Sequence, residues 1–432
     1  MLISGWGNFP IINARIHEHW SVNQIQSFIK KNNEIISSGL LRSYGDCALN
    51  NNLLSSKSLN RILEFNPNQK KITCESGVSF KDLINFLADY NLTIPVTPGT
   101  KFITIGGAIA SDIHGKNHHL QGTFGSWVES LRIVDANGEI INCSNSENPD
   151  LFKATVSGMG LTGFILDATI KLIDLNSALI EQKTIKAKDL THLFELFEEF
   201  QSKQFSVSWI DTNSNKRKIG RGVLFLGKSI KSNTKLELNE PKINLPFYLP
   251  NKTLNKFTVG LLNNTYYFMN KSGVKTVHFD KFFYPLDIIQ NWNRGYGKNG
   301  FFQYQFVVPK EFSFVAINRV LNKMQEYGIS SFLTVLKLMG PNNDFLLSFP
   351  MEGYTLAMDI TLSRKSLELA KELDKIILNS NGRIYLTKDA RMSKDIFWKT
   401  YQNIHKFLEI KFKYDPNNKF QSLQSKRLGI TL

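Results

Sequence analysis

The sequence predicts an α+β fold, and three observations carry that prediction. Short strand-like runs alternate with short helices as far as about residue 175, glycine-rich turns punctuate that stretch, and beyond about Asp174 the turns thin out while aromatic and long apolar runs take over. The change marks the start of a second domain. A chain of 432 residues is long enough for two or three domains, each with its own core.

The elements follow in order. A strand covers Arg61 to Phe65, a turn Asn66 to Gln69, and a second strand Lys71 to Glu75. Ser79 fits the N-cap of a helix with Asp82 in its first turn, and Leu83, Phe86, Leu87 and Tyr90 fall on one face. The same grammar returns with an apolar strand Leu131 to Asp135, a turn at Ala136-Asn137-Gly138 and a strand through Ile141. A helix from Asp150 to Val156 then leads through Gly158, Gly160 and Gly163 into a strand from Phe164 to Ile173.

Composition narrows the class. Apolar residues make up 42% and charged residues 21%, with ordinary glycine and proline usage, which excludes long disordered or collagen-like regions. The formal charge of +15 favours an anionic partner such as phosphate, nucleic acid or an acidic membrane surface, and fixes only its sign. Cys47, Cys74 and Cys143 have neither metal-ligand spacing nor the density of a disulfide scaffold, so reduced thiols and no metal site are expected. No secretory leader or apolar run of about 18 residues is present, which predicts a cytoplasmic protein that does not span a bilayer. Between Thr212 and Lys235 stand seven basic residues (Lys216, Arg217, Lys218, Arg221, Lys228, Lys231, Lys235) and no acid. Such a run is either a solvated loop face or a contact for anionic lipid.

The chemistry concentrates in two loops. From Pro98 to Gly125 the chain carries Pro98-Gly99-Thr100, then Thr104-Ile105-Gly106-Gly107-Ala108-Ile109-Ala110-Ser111-Asp112-Ile113-His114-Gly115-Lys116-Asn117-His118-His119. Residues without bulk let backbone amides approach an anion, and successive amides form nests for phosphate oxygens. Small residues also serve close packing, and that alternative stays open for this loop alone. Upstream, Gly39-Leu40-Leu41-Arg42-Ser43-Tyr44-Gly45-Asp46 is a second small, polar loop whose arginine suits a phosphate. Two loops separated by a strand–strand–helix unit could grip one dinucleotide from both sides. Neither has the Gly-x-Gly-x-x-Gly spacing between strand and helix of a nicotinamide site.

These residues resemble the flavoproteins of the vanillyl-alcohol-oxidase and p-cresol-methylhydroxylase (PCMH) type, including members that oxidise polyprenyl-phosphate sugars. The resemblance covers nearly the whole chain: Gly5-Trp6-Gly7, both loops, Gly160-Leu161-Thr162-Gly163, Trp292-Asn293-Arg294, Gln303-Tyr304-Gln305-Phe306, Lys337-Leu338-Met339-Gly340-Pro341, Leu347-Ser348-Phe349-Pro350 and Lys388-Asp389-Ala390-Arg391. Ile113-His114-Gly115-Lys116-Asn117-His118-His119 is its most specific part. It implies a two-subdomain, PCMH-type FAD-binding domain at 1–175, completed by 383–432, and an α+β substrate domain at 176–382 with an antiparallel sheet.

The resemblance also implies residue roles. FAD would meet Gly39, Leu41, Arg42, Ser43, Tyr44, Gly45, Gly99, Thr104, Ile105, Gly106, Gly107, Ser111, Asp112, Ile113, His114, Ile165 and Tyr385. Covalently flavinylated relatives carry a histidine where this chain has Tyr44, so the FAD is expected to be non-covalent. His114 and Lys388 are the candidates for catalytic work, since oxidising an alcohol needs a proton acceptor and positive charge beside a reduced flavin. The sugar phosphate would meet Lys116, Trp209, Phe283, Gln303, Gln305, Val335, Lys337 and Lys388. Core packing is the alternative for Trp209 and Phe283, and a surface position that for Lys388.

Two departures stand out. Leu41 replaces a glycine just before the arginine, which predicts a backbone that meets the diphosphate less closely or at another angle. Thr355 and Ala357 stand where related enzymes carry Asn and Cys. The implied reaction is C2′ oxidation of a polyprenyl-phosphoryl ribofuranoside, to be completed by an NAD(P)H-dependent keto-reductase, with peripheral contact to an anionic membrane. Rival readings are an oxidase of a soluble alditol or aldonolactone, and a non-catalytic basic binding protein; the lysines lack the motif context of a nucleic-acid module.

Overall fold

Short runs of alternating burial make several small sheets in the first 175 residues. The computed structural model describes residues 1–214 and 218–431, so Lys216 and Arg217 of the basic run lie outside the described residues. Arg15–Glu18, Asn52–Ser55 and Ile35–Ser38 form a parallel three-stranded sheet in that order. An antiparallel five-stranded sheet runs Ile140–Ser144, Val128–Val134, Phe164–Lys171, Lys71–Glu75, Ile62–Asn66. Ser79 caps the Phe80–Ala88 helix as expected, its hydroxyl accepting from the Asp82 amide at 3.1 Å. Leu83 and Leu87 are buried, whereas Phe86 and Tyr90 form an aromatic cluster with Phe65 at the rim. The expected strand from Phe164 to Ile173 divides, because the Leu172 amide leaves the ladder for the Lys70 carbonyl.

The second half is built on an eight-stranded antiparallel sheet. Its order is Gly273–His278, Leu179–Ala187, Gly222–Ser229, Phe205–Ile210, Thr334–Met339, Gly353–Thr361, Phe301–Pro309, Arg383–Ile384. Alternation gives this sheet two unlike faces. Phe302, Tyr304, Phe306 and Val308, with Leu356, Met358 and Ile360 beside them, join the core under the helices Lys310–Glu326 and Arg364–Leu378. The other face carries Gln303, Gln305, Thr355 and Asp359, all buried. Buried polar groups need partners. Here Gln303 donates to Asp359, Gln305 to Thr355 and Thr355 to the Phe306 carbonyl, and the first half of the chain adds His114 against Gln305.

After Arg383–Ile384 has added an edge strand to the large sheet, the chain returns to the first half. The Gln421 amide donates to the Ile35 carbonyl at 2.9 Å, and Asn50 Nδ2 to the Gln421 carbonyl at 2.7 Å. Arg427 reaches Asp46 at 2.7 Å and Asp389 at 2.9 Å, tying the C-terminal segment to the first loop. Fully buried Lys411 is satisfied by Asp415 at 2.7 Å and by the carbonyls of Leu161 and Phe420.

The basic run is not one free patch. Arg221 turns inward to Asp211 at 2.7 Å, and Lys235 pairs with Asp89 at 2.7 Å. Among the described residues no helix is long and apolar enough to cross a membrane, and no group of three or more His, Cys, Asp or Glu side chains could hold a metal ion.

Candidate active site

The two loops meet. A Cβ on Gly39 would stand 2.3 Å from Oγ1 of Thr104, so the first loop lies directly against the cap of the second. Gly45 approaches the C-terminal segment as closely, at 1.9 Å from the Asp389 carbonyl oxygen for a Cβ there. Between these contacts the amides of Leu40, Leu41, Arg42 and Ser43 donate to no group among the described residues. Leu41 sits at φ 51°, the left-handed region that glycine favours. Holding a leucine there costs about 1–2 kcal/mol relative to glycine.

Arg42 forms no salt bridge among the described residues. Its guanidinium lies over the Trp6 ring at 4.1 Å and near Phe102 at 5.5 Å, at the wall of a cleft of about 370 Å³. A run of unengaged amides beside an unpaired arginine fits a diphosphate.

In the second loop the Gly99 and Thr100 amides also donate to no group among the described residues, while the amides that open its helix are engaged. The short helix Ile105–Ala110 begins at Thr104, whose hydroxyl accepts from the Gly107 amide at 3.2 Å. Ile105 and Gly106 donate to the carbonyls of Val78 and Ser76, so these two amides are not free for an anion. Gly99 faces open space. Asp112, at φ 40°, is buried and accepts from the Gly125 amide, Ser348 Oγ and Asn343 Nδ2, at 2.9, 2.6 and 2.8 Å. Ser111 gives its carbonyl to the Tyr385 hydroxyl at 2.9 Å. Ile113 is buried in the loop's core, and Ile165 on the adjacent sheet.

This loop carries His114 onto the polar face of the large sheet. Its Nε2 lies 3.1 Å from Gln305 Nε2 and its Nδ1 3.1 Å from Lys337 Nζ. The ring stacks on Phe349 at 5.7 Å and leans on Tyr385 at 5.5 Å. Hydrogen-bond bookkeeping fixes the protons. Thr355 gives its hydroxyl proton to the Phe306 carbonyl at 2.8 Å, so Gln305 Nε2, 3.2 Å away, donates to Thr355 and presents its other N–H to His114. His114 Nε2 accepts, and the Nδ1 proton points at a Lys337 amine that must be neutral to receive it.

The electrostatics agree. Burial, followed by the charges of Lys337, His118 and Lys388, holds His114 well below the usual histidine range. Burial and Lys388 push Lys337 down to about 7. His118, which accepts from the Gly340 amide at 3.0 Å, is pushed down to about 3 by burial first and then by Lys337 and His119.

Lys388 lies 3.8 Å over the ring of Tyr44, which itself meets Phe301 edge-on. Burial lowers Lys388 to about 8 against the pull of Asp359. Asp359 is raised to about 7 by burial, accepts from Gln303 Nε2 at 2.6 Å, and has one oxygen with no partner among the described residues. Lys388 is thus an interior lysine at the first loop.

The other expected positions divide. Trp209, Val335, Ala357 and Gln305 stand in one row across four strands of the polar face. Trp209 is core-like, its Nε1 donating to the Phe332 carbonyl at 2.9 Å. Phe283 belongs to an aromatic cluster with Phe205 and Phe279. Lys116 is bound by the Phe282 and Phe283 carbonyls and lowered to about 7 by burial and Lys337. Sequence reasoning overlooked Asp359 and Phe349. An acid alternating with Thr355 and Ala357 in an otherwise apolar strand was the available signal for Asp359.

Comparison with known proteins agrees with this geometry. Residues 21–144 match the FAD binding domain family. The chain is 36% identical to decaprenylphosphoryl-β-D-ribose oxidase of Mycolicibacterium smegmatis over 92% of its own length and 89% of the relative's. It is 23% identical to L-gulonolactone oxidase of Mus musculus, over 84% of this chain and 82% of that one. D-arabinono-1,4-lactone oxidase of Kluyveromyces lactis is 25% identical over 46% of this chain and 39% of its own. Paired loops, an anion cradle and flavin-oxidase relatives define an FAD-linked oxidoreductase. More narrowly, the chain belongs to the decaprenylphosphoryl-β-D-ribose oxidase family.

Proposed function

We propose that the protein oxidises the C2′ hydroxyl of a polyprenyl-phosphoryl-β-D-ribofuranose to the 2′-keto sugar, the first half of its conversion to an arabinose donor. The observation that carries the reading is the convergence of His114, Lys337 and Lys388 on the buried polar face beside the first loop. Three buried basic groups with one carboxylate suit a substrate that brings its own negative charge.

Bound FAD supplies the hydride acceptor. Residues 40–43, Arg42 among them, would hold its diphosphate, and Tyr44, in place of a histidine, would leave it dissociable. Lys337 meets the substrate phosphate, whose charge favours the ammonium form and restores the proton that burial removes. Gln303 and Gln305 orient the sugar hydroxyls, and Val335 and Ala357 form an apolar wall between them and Trp209. Lys388, with an amine near neutrality, takes the C2′ hydroxyl proton as the C2′ hydride leaves. Neutral His114 accepts from Gln305 at Nε2 and holds the Lys337 amine through its Nδ1 proton until the phosphate takes the lysine over as ammonium.

In this reading residues 1–175 and 383–432 make the FAD domain and 176–382 the substrate domain. A ketone product requires a second enzyme, an NAD(P)H-dependent keto-reductase, and a polyprenyl tail requires peripheral association with the inner membrane. Anaerobic mixing of the purified yellow protein with farnesyl-phosphoryl ribose tests it: the flavin absorbance bleaches in one turnover. Bleaching by a free aldonolactone and not by the phosphate glycoside would place the protein with the lactone oxidases instead.

A further inference from the structure

The Lys256–Met269 helix is amphipathic the wrong way round for a globular protein. Its inner face is mixed: Val259 is buried, Asn263 Nδ2 donates to Asp211 at 2.9 Å, and Tyr266 leans on Trp209 with ring centroids 4.7 Å apart. Its outer face presents Phe257, Leu261 and Phe268, which are 81%, 63% and 61% exposed. At about 100° per residue these three fall within roughly 40° of one another, opposite Val259 and Tyr266. Met269 flanks the stripe, 75% exposed, and Phe247 stands out from the run that leads into the helix.

The charge around the stripe has one sign. Between Glu240 and Asp280 there is no acidic residue but there are five lysines, Lys242, Lys252, Lys256, Lys271 and Lys275. All five are exposed, and none forms a salt bridge among the described residues. A helix with phenylalanine and leucine on one side and flanking lysines has the character of an interfacial helix, whose apolar face enters the headgroup boundary while the lysines meet anionic lipid. A protein partner would have to match an apolar stripe on an acid-free stretch of chain, whereas a bilayer rich in anionic lipid matches both the stripe and its flanking lysines at once.

Position gives the surface a purpose. Tyr266 touches Trp209, and the row from Trp209 through Val335 and Ala357 ends at Gln305, which contacts His114. Three strand spacings of about 4.8 Å separate Trp209 from Gln305, roughly 14 Å. We infer that the outward face of the Lys256–Met269 helix is the membrane-docking surface, seating on anionic lipid so that the substrate face of the large sheet opens towards a lipid-borne substrate. The last clause rests on the proposed function; the docking itself does not.

The test uses the full-length, FAD-loaded protein and needs no substrate. Flotation with phosphatidylcholine vesicles, with and without phosphatidylglycerol, is compared for the wild type, a Phe257→Ser/Leu261→Ser/Phe268→Ser variant and a Lys252→Ala/Lys256→Ala/Lys271→Ala/Lys275→Ala variant. The wild type floats with the anionic vesicles; the apolar variant binds them at least about tenfold less, with flavin content and melting temperature retained. The lysine variant loses the preference for phosphatidylglycerol. Failure of the wild type to bind, or equal binding by the apolar variant, overturns the assignment. A dimer that the apolar variant splits, without vesicle binding, also overturns it and gives the face to a second copy of the chain. Vesicle binding without flavin bleaching by farnesyl-phosphoryl ribose would leave the docking surface standing and remove the substrate reading.

Discussion

His114 Nδ1 and Lys337 Nζ face each other at 3.1 Å, a histidine from the glycine-rich segment against a lysine from the middle of the large sheet. Burial dominates both, with the charge of Lys337 lowering His114 further and the charge of Lys388 lowering Lys337 to about 7, so the free enzyme keeps His114 neutral and Lys337 balanced between amine and ammonium. A phosphate arriving at Lys337 reverses that balance by favouring the ammonium form. Replacing Lys337→Met therefore removes a charge-assisted contact worth about 1.5–3 kcal/mol, and KM for a phosphate glycoside is expected to rise about 10- to 150-fold. Flavin stoichiometry stays at the wild-type value. Steady-state kinetics with absorbance checks it, and an unchanged KM would assign the phosphate to another residue.

The pH dependence follows from Lys388 and Asp359. With Lys388 near 8 and acting as the neutral amine, kcat at saturating substrate, where the phosphate holds Lys337 as ammonium, rises with pH through that value. Asp359 raises the lysine, so Asp359→Asn moves this limb to lower pH, and Lys388→Met costs about 10²–10⁴-fold in kcat with FAD still bound. Stability has its own sign. Lys337 and Lys388 lie below the ordinary lysine value, so from about 7 upward the unfolded chain binds more protons and their contribution to stability increases with pH. Asp359, raised to about 7, acts in the opposite sense, and its window closes by about that pH. Melting temperature of the flavin-free protein between pH 7 and 9 reads the lysine contribution.

Local chemistry explains what the sequence made legible. The Ser79 cap, the strand Lys71–Glu75 and the two glycine-rich turns are decided within a few residues, so they appear where local rules put them. The polar sheet face is decided by register between strands far apart in sequence. Nothing near Asp359 announces that Gln303 lies opposite it, or that Lys388 approaches it from the returning C-terminal segment. The Leu41 backbone likewise depends on its surroundings, since contacts of the whole loop hold a non-glycine residue at φ 51°.

The contact between Gly39 and Thr104 makes a sharp test of the two-loop grip. Alanine at position 39 would put its Cβ 2.3 Å from Thr104 Oγ1, the atom that caps the Ile105–Ala110 helix. Thr104 must then rotate, giving up a cap worth about 1 kcal/mol, and the loops must part. FAD affinity of Gly39→Ala is expected to fall about tenfold or more, measured by equilibrium dialysis of released flavin. Wild-type affinity in that variant would mean that the loops do not hold the cofactor jointly.

The thiols give the last prediction. Cys47 is pushed up to about 11, and Cys74 and Cys143 to about 12, chiefly by burial. A thiolate is the reactive form, and these three thiols are buried and held protonated, Cys47 at the site included. Position 357, by contrast, is half-buried on the polar face between Val335 and Gln305, and alanine occupies it. Thiol-directed electrophiles shaped for the substrate site should leave the wild type fully active. Ala357→Cys should become inactivated, with a mass increase of one adduct per chain, and substrate should protect it. Modification of the native wild type, located by peptide mapping, would show that one of the three interior cysteines opens to solvent. Lack of reaction in Ala357→Cys would show that the row from Gln305 to Trp209 does not line the substrate site.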